Sequence, residues 1–137
     1  MTKKLNVAII GSNFGLKGYL PVIKKINKIN LKIICSRNIS KIKDEIKIDK
    51  NLEYINNWKL IFKKKIDLII CAVPPKIQEK ILIYNFKFKK KIIFEKPISS
   101  NLKTSKKIAQ TIVKKKIKCD VNLTYLSHPL FRRVKDM

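Results

Sequence analysis

Val7-Ala-Ile-Ile-Gly-Ser-Asn-Phe-Gly15 is the stretch whose reading decides the fold. Four small or β-branched apolar residues, Val7 to Ile10, run without a polar break into Gly11, which reads as a strand covered on both faces. Gly11 lets the chain leave that strand sharply, and Gly15 opens a segment with helical apolar spacing. Strand, tight turn and helix start, in that order, build a phosphate-binding turn in α/β proteins. Backbone N–H groups approach the anion and the helix adds its positive end. The spacing is Gly11-x-Asn13-x-Gly15, one residue shorter than the usual dinucleotide fingerprint, with Asn13 at the middle glycine.

Outward from this turn, strands and helices alternate. Leu16, Leu20, Ile23 and Ile26 recur at helical spacing as far as Ile29, with Pro21 near the first turn. Residues 31–35 predict a second strand ending in Ser36-Arg37, and Asn38 or Ser40 can cap a short helix to about Lys47. A short third strand over 52–55 precedes a helix capped by Asn57 and running through Phe62. Residues 67–72 form the most strand-like run, closed by Val73-Pro74-Pro75. A helix over 76–84 turns Ile77, Ile81 and Leu82 inward. Strand five, 91–94, leads into Glu95-Lys96-Pro97, and Asn101 caps a lysine-rich helix carrying Ile108, Ile112 and Val113. Strand six covers 117–122, and the run Leu130–Val134 after Pro129 starts one more helix. Short turns between alternating strands and helices argue for a parallel sheet with right-handed crossovers.

The 137 residues are one domain's worth and carry 33 Lys plus Arg against 9 Asp plus Glu, a formal net charge of +24. The basic residues are 30 Lys and 3 Arg, and Ile and Asn are inflated alongside. All three are residues of A/T-rich codons, so base composition explains the charge without a specific nucleic-acid partner. Arginine forks and interleaved aromatics are not clustered. Cys35, Cys71 and Cys119 form no CxxC pair and read as reduced thiols in a cytoplasmic protein. No apolar run reaches membrane-span length. His128 is the single histidine, which excludes a His-rich metal site within this sequence.

In a doubly wound sheet, ligands sit outside the carboxyl ends of the strands. The segments ending strands one, two, four, five and six are therefore the candidates. The turn Gly11, Ser12, Asn13, Phe14, Gly15 would cradle a pyrophosphate. Where an acidic residue ordinarily meets the ribose hydroxyls, this chain has Ser36 and Arg37. A carboxylate there would repel a 2′-phosphate, whereas Ser and Arg accept one, which favours NADP slightly over NAD.

The chain resembles the N-terminal domain of the glucose–fructose oxidoreductase / inositol dehydrogenase / MocA (Gfo/Idh/MocA) family. The resemblance rests on Gly11 to Gly15 with Tyr19-Leu-Pro21 behind it, on Ala72-Val-Pro74-Pro75, on Phe94-Glu95-Lys96-Pro97 before an Asn-capped helix, and on Val121-Asn122 with Pro129 beyond. It implies a Rossmann-type, three-layer α/β fold with strand order 3-2-1-4-5-6. Residues 1–122 would form the dinucleotide-binding domain, and 123–137 the start of the connection to a C-terminal substrate domain. By resemblance, Lys96 is the catalytic lysine beside the nicotinamide, and Glu95 and Pro97 shape its turn. Ala72, Val73, Pro74, Gln78 and Asn122 line the cofactor; Tyr19 and Gln78 stand where members often have histidine. The implied chemistry is hydride transfer between NADP or NAD and a sugar or polyol carbon. A chain lacking the substrate domain is expected not to catalyse alone and to expose apolar surface near Leu123–Val134. The alternatives are a stand-alone nucleotide-binding sensor, a subunit completed by a partner chain, and a non-functional gene fragment.

Overall fold

Val7, Ala8 and Ile9 lose all contact with solvent because β1 (Leu5–Ile10) runs through the middle of a sheet. It pairs in parallel with β2 (Ile29–Cys35) on one side and β4 (Leu68–Cys71) on the other. β3 (Glu53–Ile55) adds outside β2, and β5 (Lys91–Glu95) and β6 (Cys119–Asn122) follow β4. The six-stranded order is β3-β2-β1-β4-β5-β6, so the chain reverses direction across the sheet between β1 and β4. The computed structural model describes residues 3–40, 42, 49, 51–129 and 133–134.

Side-chain alternation along the strands divides the core in two. Ala8, Ile10, Ile33, Ile69 and Phe94 face one layer, completed by α2 (Pro75–Phe88), α3 (Leu102–Lys115) and a 3₁₀ turn over Trp58–Lys63. Val7, Ile9, Ile34 and Ile70 face the other, covered by Leu16, Leu20, Ile23 and Ile42. The three layers and the strand order match the sequence expectation.

The first helix differs from its expected form. Gly15–Tyr19 is a π-turn, closed by the Leu20 N–H on the Gly15 carbonyl, and only Leu20–Ile23 (α1) is α-helical. Pro21 has no N–H to continue the ladder, which favours a wider turn before it and a short helix after it. Successive turns then lead into β2 two residues earlier than expected, and Ile26 is exposed. The segment after Asn57 is 3₁₀, not α-helical, although its cap is the expected one: Asn57 Oδ1 accepts from Lys59 N–H at 3.1 Å. α2 extends four residues beyond 84, with Pro75 at its first position and Lys89 left-handed after its end. Asn101 caps α3 as expected, its Oδ1 accepting from Thr104 N–H at 2.9 Å. Ile108 is buried there, but Val113 is 77 % exposed. Beyond β6 a 3₁₀ turn spans Thr124–Ser127, and Leu123, Tyr125 and Val134 are exposed. Residues 43–48, most of the helix expected after Ser40, and 130–132, in the expected terminal one, lie outside the described residues.

Gly11 has φ +116°, and a Cβ built on it would lie 2.0 Å from the Ala72 carbonyl oxygen. Gly11→Ala is expected to lower stability by about 3 kcal/mol or more through backbone strain and overlap; a denaturant midpoint within error of wild type would contradict it. Burial pushes the Cys35 thiol up to about 12 and the Cys119 thiol up to about 11. Cys71 is raised by the same cause. At about pH 8 the native thiols should therefore react slowly with a dithionitrobenzoate reagent, and all three should react once the chain is denatured. Two or more fast thiols in the native protein would overturn this.

Candidate functional site

The carboxyl ends of β1, β2, β3 and β4 enclose a cleft of about 500 Å³. It brings together Gly11, Ser12 and Asn13 from the first turn, Ser36 and Arg37 after β2, and Ala72, Val73 and Pro74 after β4. Ile10, Cys35 and Ile77 give it an apolar floor. The turn sits tightly: Gly11 N–H donates to the Cys35 carbonyl at 2.9 Å, and Ala72 N–H donates to the Ile10 carbonyl at 2.8 Å. Gly15 is buried beneath, where a Cβ would come within 2.8 Å of Ile9 Cγ2, so the helix start lies close against β1. Ser36 is buried, its Oγ accepting from Asn38 N–H at 3.3 Å, while Arg37 is exposed.

Asn56, Asn57 and Trp58 complete the cleft beyond Arg37, with Asn38 beside them. Sequence reasoning did not assign these residues to a site, since it passed over the end of strand three. The signal existed: Asn56 to Trp58 follow a strand that the expected order places next to strand two. Trp58 is half-buried, with its ring edge-on to Tyr84 and Phe62 at 5.2 and 6.0 Å.

Phe14, Gly15, Gln78, Glu95, Lys96, Pro97 and Asn122 do not line this cleft. Glu95, Lys96, Pro97 and Asn122 stand at the ends of β5 and β6, the other half of the same sheet edge. The Lys96–Pro97 peptide bond is cis, and both residues are exposed. Gln78 is buried in α2 and spends its carboxamide on the backbone. Nε2 donates to the carbonyls of Glu95 and Pro97 at 2.7 and 3.0 Å, and Oε1 accepts from Glu95 N–H at 3.2 Å. It thus holds the chain on both sides of Lys96. Glu95 Oε1 accepts from the Tyr19 hydroxyl, and from Asn122 Nδ2 at 2.8 Å. Asn122 Nδ2 also donates to the Tyr19 hydroxyl oxygen at 2.7 Å. Phe14 is half-exposed and stands edge-on to Tyr19 at 5.6 Å.

Such an edge can hold an extended ligand: a narrow backbone-lined turn for an anion, an apolar floor, an exposed guanidinium beyond it, and an exposed lysine on a turn that Gln78 holds by hydrogen bonds. Among the described residues no cluster of three or more His, Cys, Asp or Glu could hold a metal ion. Nor, among them, is any helix long and apolar enough to cross a membrane.

Comparison with known proteins gives the same fold. Residues 5–123 match the family model described as an oxidoreductase family with an NAD-binding Rossmann fold, GFO_IDH_MocA. A search of curated proteins finds no match. Among solved structures, myo-inositol 2-dehydrogenase from Lactobacillus plantarum superposes with a TM-score of 0.83 at 20% identity, over 98% of this chain and 40% of that one. A mutant of KijD10, a 3-ketoreductase from Actinomadura kijaniata in complex with TDP-benzene and NADP, gives 0.83 at 17% identity, over 98% and 43%. GenD2 from gentamicin A biosynthesis, in complex with NAD, gives 0.84 at 14% identity, over 99% and 39%. The chain thus spans about two fifths of the length of the solved proteins it resembles. With the family model covering most of the sequence and the six strands in their doubly wound order, this chain belongs to the GFO_IDH_MocA oxidoreductase family and carries its NAD-binding Rossmann fold.

Proposed function

We propose that the cleft takes the adenosine and pyrophosphate part of NADP(H), that Lys96 stands beside the nicotinamide, and that the intact reaction is hydride transfer to or from a sugar or polyol carbon. The observation that carries this reading is the convergence of the Gly11–Asn13 turn, Ser36-Arg37 and Ala72–Pro74 on one cleft at the switch point between β1 and β4. The pyrophosphate lies on the N–H groups of the turn, and Asn13 narrows it where a glycine is more usual. Ser36 and Arg37 receive the 2′-phosphate, the guanidinium supplying a charge-assisted fork. Asn56 to Trp58 wall the adenine end. Lys96, held between Glu95 and Pro97, donates to the substrate oxygen and assists its proton transfer as the hydride moves. The bound cofactor supplies the hydride chemistry itself.

Residues 1–122 serve as the dinucleotide domain in this reading, and 123–137 begin the connection to a surface that holds the substrate. The 137 residues alone are expected to bind cofactor without oxidising inositol or glucose. Cofactor reduction by the purified chain with either sugar would overturn that expectation.

Trp58 lines the cleft and is the only tryptophan, so its fluorescence reports occupancy. Titration with NADPH and NADH should be carried out at low and at raised salt, because a +24 chain attracts any polyanion at low ionic strength. Saturable binding that persists at raised salt is expected, with NADPH tighter than NADH by about tenfold. Arg37→Ser should remove most of that preference while leaving NADH binding unchanged. Binding that disappears with salt would sink the dinucleotide site. Equal affinities would sink the assignment of Ser36 and Arg37.

A further inference from the structure

Three side chains far apart in sequence meet at one oxygen outside the cleft. Tyr19 comes from the turn before α1, Glu95 from the end of β5 and Asn122 from the end of β6. The Tyr19 hydroxyl and Asn122 Nδ2 both donate to Glu95 Oε1, and Asn122 Nδ2 also donates to the hydroxyl oxygen. Each pair in this triangle is thereby bonded, across chain separations of 76, 103 and 27 residues.

The consequences for geometry are specific. Gln78 fixes the backbone around Lys96 from below, through the Glu95 N–H and carbonyl and the Pro97 carbonyl. What remains is the position of this turn relative to the Gly11–Gly15 turn. Backbone pairing relates the two only through β4, which lies between β1 and β5 with Ile10, Cys71 and Phe94 in register, and β1 and β5 themselves are not paired. Tyr19 makes a direct side-chain link across β4: its backbone belongs to the π-turn that starts at Gly15, and its hydroxyl ends on Glu95. Burial and the neighbouring Glu95 carboxyl push the hydroxyl well above its ordinary range, so it stays protonated and keeps its donor role.

We propose that Tyr19 is a positioning residue. Its hydroxyl sets the distance between the phosphate-binding turn and the Lys96 turn, and so determines how well the two ends of one dinucleotide are held at once. This rests on the reading of the cleft as a dinucleotide site. Because Tyr19, Glu95 and Asn122 do not line the cleft, the adenosine half should not sense the link.

The test compares two ligands on the full chain at raised salt: NADPH, and adenosine 2′,5′-bisphosphate, which lacks the nicotinamide end. Tyr19→Phe keeps the ring beside Phe14 and removes the hydroxyl. It is expected to weaken NADPH by about tenfold, the usual effect of losing a hydrogen bond to a charged group, and to leave the bisphosphate within about twofold. Tyr19→His keeps an N–H donor and loses the phenol, and should recover at least half of that loss on a logarithmic scale. Circular dichroism and melting temperature of each variant separate this from unfolding, which would weaken both ligands together. A Tyr19→Phe chain that weakens both ligands alike, or neither, overturns the proposal alone. Tyr19→His that binds NADPH no better than Tyr19→Phe assigns the effect to ring packing and overturns it too. A wild-type chain that binds neither ligand overturns the dinucleotide reading and this proposal with it.

Discussion

No side chain fits between Gly11 and the carbonyl of Ala72, where a Cβ would stand 2.0 Å from the oxygen. That close approach brings the ends of β1 and β4 together at the point where the sheet reverses direction. It leaves the Gly11–Asn13 backbone facing a cleft instead of being covered by its own side chains. The walls of the cleft are tied to this point. The β2 end is tied in through the Gly11 N–H on Cys35 O, and β3 through the Ser36 N–H on Ile55 O at 3.0 Å. The four segments that wall the cleft are therefore positioned by backbone hydrogen bonds, which do not depend on side-chain rotamers.

The charge of the chain is carried by side chains that mostly have no part in this arrangement. Among the described residues the ion pair is Lys64–Glu53, at 2.7 Å and well exposed, a geometry that contributes little to stability. Lys89 and Lys116 occupy the left-handed positions after α2 and α3 that glycine ordinarily takes. Lys90 is put to structural use, its ammonium donating to the carbonyls of Lys64 and Ile66 at 2.9 and 3.1 Å.

What the sequence made legible was whatever local chemistry decides alone. The apolar runs Val7–Ile10 and 67–72 read as strands covered on both faces, and β1 and β4 lie inside the sheet. Asn57 and Asn101 cap because their side chains reach an N–H two or three residues on. Gly11, Ser12 and Asn13 and the Ser36-Arg37 pair, all read from strand ends, line one cleft, whereas Phe14 and Gly15 of the same turn do not. Gln78 was legible as part of the site's neighbourhood but not in its use, because its partners lie 17 and 19 residues away and its burial comes from packing. Asn56 to Trp58 depended on which strand neighbours which. Ile26 and Val113 fit the helical period yet ended exposed, since the first lies where the helix has already stopped and the second turns away from the sheet.

The π-turn at Gly15–Tyr19 changes the meaning of the short fingerprint. The glycine turn has one residue fewer than the usual pattern, and a π-turn holds one more than an α-turn. The residue omitted before Gly15 is returned after it, so the count from Gly11 to Tyr19 comes out the same as behind a full-length turn. Loss and gain cancel over a few positions, and Tyr19 arrives facing Glu95. A missing residue with no wide turn behind it would swing Tyr19 by about 100° around the helix axis. In this chain the facing of Tyr19 thus depends on the summed length of turn and helix together, so that shortening or lengthening one piece alone would turn its ring away from Glu95.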